Sequence, residues 1–168
     1  MSSIQIIVGS MLGGTEYVAE ACEETLNELQ FKTDISLKPN FNEIIKKTFN
    51  DNKIHKKFDN STKNPLWILC TSTHGAGEFP DNIKTFINDL RNCEQDLSTL
   101  NFITIGLGDS NYDTFCKAAI DISSLLISLG CNQLTPIKTF DMSKDIDPED
   151  LVQQWIKENK DLLDRYNV

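Results

Sequence analysis

Short apolar runs alternate along this chain with stretches of helical period, and that alternation narrows the possible folds more than any other feature. Residues 4–8 (IQIIV), 66–70 (LWILC) and 101–105 (NFITI) have strand length but lack the polar alternation of a strand that faces water. Such runs read as strands buried on both faces. Between them, apolar residues recur at three- and four-residue steps. Val18, Ala21, Cys22, Thr25, Leu26 and Leu29 form one set; Ile83, Phe86, Ile87 and Leu90 a second; Phe115, Ala118, Ala119, Ile122, Leu126 and Leu129 a third. Each set is the buried face of an amphipathic helix, and Gly130 closes the third as a C-cap. A half-buried strand is expected around residues 33–37. A last strand is expected over 134–140, where Pro136 removes a ladder donor and favours an edge. Leu151, Trp155, Leu162 and Tyr166 carry a final helix after Pro148, and Trp67 and Trp155 fall at core positions. Strands alternating with helices call for a parallel sheet covered on both faces, here a doubly wound α/β domain of five strands.

The length of 168 residues suits one such domain spanning the whole chain. A formal charge of −9 argues against a nucleic-acid partner, because phosphate binding needs clustered Lys and Arg. No apolar run reaches membrane-spanning length, and the first ten residues lack a signal peptide's basic start and apolar middle. Five cysteines, an odd number without a CxxC, argue against a disulfide framework or a zinc site, and a reducing cytoplasm is expected. Residues 40–64 depart from the rhythm. They hold six lysines against three acids, are rich in Asn, and read as a short helix plus a solvated insertion. A surface excursion is the simpler reading of this stretch, and a partner-docking patch the alternative.

The residues that bear chemistry follow three of the strands, and parallel strands bring those loops to one edge. The first loop runs through Ser10, Met11, Leu12, Gly13, Gly14 and Thr15 into a helix. Its glycines and the helix N-terminus suit an anion, although a purely structural turn would use the same residues. It is neither a Walker A loop nor GxGxxG. The second contains Ser72, Thr73, His74, Gly75, Ala76 and Gly77, with donors for a polar ligand and a histidine that either lies against a flat ring or is simply exposed. The third contains Gly106, Leu107, Gly108, Asp109, Asn111, Tyr112, Phe115 and Cys116. Tyr112 is expected to start the next helix, where it either covers a planar ring or staples the helix start. Cys116 is expected to pack beneath the loop. The three loops carry Glu78, Asp81, Asp109 and Asp113 but no Lys or Arg.

Taken together, GSMLGGTEYVAE, TSTHGAGEFPDN and GLGDSNYDTFC resemble the phosphate, middle and tyrosine loops of the flavodoxin family, closest to its short stand-alone MioC type. DIDPEDLVQQW is similar to the start of that group's last helix. The resemblance covers about residues 4–165 and implies a flavodoxin-like sheet of order 2-1-3-4-5. It also implies one non-covalent FMN. By that likeness residues 10–15 hold the phosphate, and Thr73, His74 and Gly75 border one side of the ring. Tyr112 stacks on the other side, Gly108 and Asp109 meet the pyrimidine edge, and Asn111 shapes the loop. Met11 and Leu12 stand where many flavodoxins carry threonines, and His74 where many carry Trp or Tyr. In flavodoxins the peptide after the inner aromatic turns its carbonyl toward flavin N5, and Gly75 fills that place.

The expected function is one-electron transfer from an NADPH-dependent flavodoxin reductase to an acceptor enzyme, by a monomer whose acidic face docks basic-faced redox partners. One alternative is the FMN component of a diflavin-type reductase with a separate FAD/NADPH partner. Another is a flavin-free interaction module on the same fold. A receiver domain is disfavoured, since Gly9 and Ser10 stand where its acid cluster would be.

Overall fold

The computed structural model describes residues 3–55 and 64–167. Its elements run β1 (Ile4–Gly9), α1 (Gly14–Glu28), β2 (Thr33–Ser36), α2 (Phe41–His55), β3 (Leu66–Ser72) and α3 (Asp81–Arg91). They continue with β4 (Asn101–Gly108), α4 (Lys117–Ser128), β5 (Asn132–Gln133), β6 (Lys138–Asp141), α5 (Pro148–Glu158) and α6 (Lys160–Asn167). The sheet is parallel throughout, in the order β2-β1-β3-β4-β5, with β6 also on β4.

Side-chain alternation along the strands builds two apolar layers. Ile4, Ile6 and Val8 of β1, Leu66 and Ile68 of β3, and Ile103 and Ile105 of β4 pack with α1 and with Val152, Ile156 and Leu163 of α5 and α6. Ile7, Trp67, Leu69 and Phe102 point the other way, onto Ile44 of α2, Phe86 of α3, and Ile122 and Leu126 of α4. Trp67 is wholly buried, and its indole N–H donates to Thr48 Oγ1 at 2.8 Å. Burying an indole this way satisfies its one polar atom. Trp155 packs partly buried against the first layer.

Four expectations need correction. The last strand is not continuous over 134–140. It is split into β5 and β6, which occupy the same edge position beside β4. Pro136 falls in the gap, where it has no ladder amide to withhold. The final helix is likewise two helices that meet at Asn159, whose Nδ2 donates to Trp155 O and whose carbonyl accepts from Leu163 N. The start of the Lys/Asn-rich stretch is no short helix. Asn40 caps it through Glu43 N, and it runs fifteen residues with Phe41, Ile44, Ile45 and Phe49 against the sheet. This is the crossover helix that a parallel β2–β3 connection demands. The remainder of the proposed insertion, residues 56–63, lies outside the described residues. Finally, α4 begins at Lys117, so Tyr112 stands in the turn before it.

Candidate functional site

Strand register puts the three loops at one height. Gly9 is level with Thr71, and Thr71 with Gly106, so β1, β3 and β4 end together. Close strand-end packing explains some of the glycines. A Cβ on Gly9 would lie 2.4 Å from Thr71 Oγ1, and one on Gly106 2.7 Å from Ala119 Cβ.

The first loop is fixed by its own side chain. Ser10 Oγ accepts the Gly13 amide at 3.1 Å, and Gly13 turns left-handed at φ 87°. Among the described residues, the amides of Met11, Leu12, Gly14 and Thr15 make no hydrogen bond. Four free N–H groups at a helix N-terminus suit an anion. Gly14 adds independent evidence. Its φ is unremarkable for any residue, and a Cβ there would meet nothing within 4 Å, so the fold gives no reason for glycine. Met11 turns back, its sulfur accepting the Asp81 amide at 3.3 Å, while Leu12 is 98% exposed.

In the second loop, His74 N donates to Glu78 O at 2.8 Å, and His74 O accepts from Gly77 N and Glu78 N. These bonds leave the Gly75–Ala76 peptide at the tip with no partner among the described residues. Gly75 sits at φ 53° and Gly77 at φ 104°. Thr73 Oγ1 accepts the Ala118 amide at 3.1 Å, anchoring the loop to the start of α4. Ser72 is half-buried at the end of β3, whereas His74 and Ala76 are exposed.

The third loop is a chain of turns. Asp109 caps it, its carboxylate accepting Asn111 N and its carbonyl Tyr112 N. Gly106, Leu107 and Cys116 support it from below and do not form its surface. Gly108 has no room for a side chain, since a Cβ would lie 2.8 Å from Cys116 N and 3.0 Å from Cys116 Sγ. Burial, with Asp141 nearby, pushes the Cys116 thiol up to about 11, so it stays protonated and packs as a small apolar group. A cleft of about 310 Å³ opens between the second and third loops, lined by Thr73, Gly75, Gly108, Asp109, Tyr112, Thr114 and Phe115.

Three contributors are not among the candidate residues, although Asn82 and Thr114 fall inside the second and third loop segments. Asn82 joins the first loop to α3 through its side-chain amide. Thr114 lines the cleft, and Asp141 clamps the third loop from β6, accepting Ser110 N at 3.1 Å and Ser143 Oγ at 2.7 Å. Asp141 ends an edge strand thirty-one residues from Ser110, so no local spacing announces it. The loops are also less purely acidic than their sequence suggests. Lys84 pairs with Asp81 at 2.6 Å, and the Lys117 stem packs on Gly77 while its ammonium binds Asp121.

A turn of free amides and a neighbouring cleft stand at the switch point of a 2-1-3-4-5 sheet, and that strand order is the flavodoxin-like form of the doubly wound fold. Comparisons with known proteins agree. A family model described as Flavodoxin matches residues 6–155. The Protein MioC homolog of Pasteurella multocida is 41% identical over 155 residues, covering 92% of this chain and 94% of the relative. A sulfite reductase [NADPH] flavoprotein alpha-component of Thiocapsa roseopersicina is 32% identical over 80% of this chain but only 23% of its own length. The solved structure of a cysteine-to-alanine mutant of flavodoxin from Pseudomonas aeruginosa superimposes with a TM-score of 0.78 at 26% identity, covering 93% of this chain and 95% of that one. The chain belongs to the flavodoxin family, and within it to the MioC type. Its cofactor is FMN, and it is an electron carrier, not an enzyme in its own right. The residues present fit that cofactor: free amides and an otherwise unexplained Gly14 for the phosphate, and a cleft beside Tyr112 for the ring.

Proposed function

We propose that this chain shuttles single electrons from a separate NADPH-dependent flavodoxin reductase to an acceptor enzyme. The observation that carries the reading is the level register of Gly9, Thr71 and Gly106, which sets the anion turn and the cleft side by side. FMN supplies stepwise one-electron chemistry when bound, and the protein orients and tunes it. Residues 10–15 would hold the phosphate through the free amides, with Ser10 and Thr15 adding hydroxyls. Tyr112, 66% exposed, would cover one face of the ring and His74 border the other. Gly108 and Asp109 would offer backbone to the pyrimidine edge. The Gly75–Ala76 peptide, unbonded among the described residues, would be free to turn its carbonyl toward flavin N5 and accept a hydrogen bond from the hydrogen carried there.

Acids stand on one side of this edge. Glu16 lies in the first turn of α1, and Asp141, Asp145, Asp147, Glu149 and Asp150 lie at the start of α5 and just before it, whereas Glu23, Glu24 and Glu28 follow α1 toward the opposite end of the sheet, where Glu23 accepts from Thr33. Such a field steers basic-faced partners and disfavours extra negative charge on the flavin. No helix of the described residues is long and apolar enough to cross a membrane. The likeness to part of a sulfite reductase flavoprotein supports a second reading, an FMN component working with a separate FAD/NADPH chain.

The test is reduction of the FMN-loaded protein followed by its visible spectrum. Reduction by NADPH only after a separate reductase is added, at a rate that falls as salt rises, is expected. Direct oxidation of NADPH by this chain alone would sink the carrier reading, and a salt-independent rate would sink acidic docking.

A further inference from the structure

The phosphate turn is not held by its own loop alone. Asn82, in the first turn of α3, uses its whole amide to tie three chain segments together. Its Oδ1 accepts the Ser10 amide at 2.9 Å, and its Nδ2 donates to Val8 O at 2.8 Å and to Leu37 O at 3.0 Å. Val8 lies at the end of β1 and Leu37 just after β2. Asn82 follows directly on the second loop, and its neighbour Asp81 donates its amide to the Met11 thioether sulfur at 3.3 Å. Thus the turn that would take the phosphate is fastened to the helix that ends the ring-side loop.

We infer that Asn82 is a positioning residue for phosphate recognition, setting the first-loop amides before the cofactor arrives and coupling that turn to the second loop. The inference rests on the FMN reading above. Its logic is preorganisation. Ser10 is the pivot, because its amide is held by Asn82 and its hydroxyl in turn holds Gly13. With the pivot fixed, the amides of Met11, Leu12, Gly14 and Thr15 need less ordering when an anion binds. An amide side chain suits the task, because one acceptor and two donors face one N–H and two carbonyls. Aspartate has no donors for the carbonyls, and alanine has no polar group at all. The ring-side cleft does not include Asn82, so its effect should fall on the phosphate and spare the ring.

The test uses the full chain freed of flavin, titrated with FMN and with riboflavin, which shares the ring and ribityl chain but lacks the phosphate. Wild-type protein is expected to prefer FMN. Equal affinity for both ligands, or binding of neither, would overturn the phosphate-turn reading itself. Asn82→Ala is expected to lower the FMN-to-riboflavin affinity ratio roughly tenfold, with riboflavin affinity held within about twofold. Hydrogen exchange at the Ser10 and Gly13 amides should quicken while the interior of β1 stays protected. An unchanged ratio overturns the inference whatever happens to the melting temperature, since a merely structural role would weaken both ligands alike. Should Asn82→Ala fail to fold, Asn82→Ser is read by the same ratio. Failure of both to fold would leave Asn82 a structural residue and overturn the inference.

Discussion

The Asp141 carboxylate accepts the backbone amide of Ser110 at 3.1 Å and so pins the third loop to the end of β6. Hydrogen bonds from Ser110 and Ser143 hold this carboxyl well below the ordinary carboxylate range. The sign follows from linkage. A folded pKa below the unfolded value gives stability that is present above about pH 4 and is lost as pH falls from there toward the folded pKa. Asp141→Ala should therefore melt at a lower temperature than wild type near neutrality. Melting temperatures recorded from pH 7 to pH 2 should converge below about pH 4. A constant difference across that range would show that the ionised carboxylate is not the source.

Two glycines should respond in opposite ways. Alanine at Gly108 would press on the Cys116 backbone, and Gly108→Ala should destabilise the protein by about 1–3 kcal/mol in denaturant titration. Gly14 opens α1 with free space around it, so Gly14→Ala should leave the flavin-free protein as stable or stabilise it by up to about 1 kcal/mol. The same change should weaken FMN binding, because the new methyl enters the anion's space. Unaltered FMN affinity would remove Gly14 from the phosphate turn.

Tyr112 is mostly exposed and contributes little to the core. Tyr112→Ala should leave the melting temperature of the flavin-free protein nearly unchanged. FMN affinity, read by flavin fluorescence quenching, should fall about tenfold, the value of one aromatic stacking contact. Loss of stability without loss of affinity would assign Tyr112 to the loop alone.

Gly75 occupies the left-handed region at φ 53°, and its peptide to Ala76 is unbonded among the described residues. A Cβ restricts both conformations that a turning peptide must visit. In Gly75→Ala the first and second reduction potentials of the bound FMN should move closer, by on the order of 50 mV. Potentiometric titration that finds the same separation as wild type would refute the turning peptide.

Much of this was legible in the sequence for a physical reason. Strands buried on both faces leave unbroken apolar runs, so β1, β3 and β4 stand out at 4–8, 66–70 and 101–105. Edge elements carry less signal. β5 and β6 are short and interrupted at Pro136, and they read as one strand because nothing local marks where pairing to β4 lapses. The helix over Phe41–His55 reads as a short one because its lysines and asparagines mask a narrow apolar stripe.

The site divides along the same line. Glycine, serine and tyrosine positions in the three loops are written locally, since backbone turns and free amides depend on residues next to one another. The sequence by itself therefore determined the doubly wound class, the three loops and the kind of ligand they suit. Only the tertiary structure decided how those loops are held. Asn82 reaches Ser10 across seventy-two positions and Asp141 reaches Ser110 across thirty-one, and such contacts exist only once parallel strands have brought distant segments to one edge.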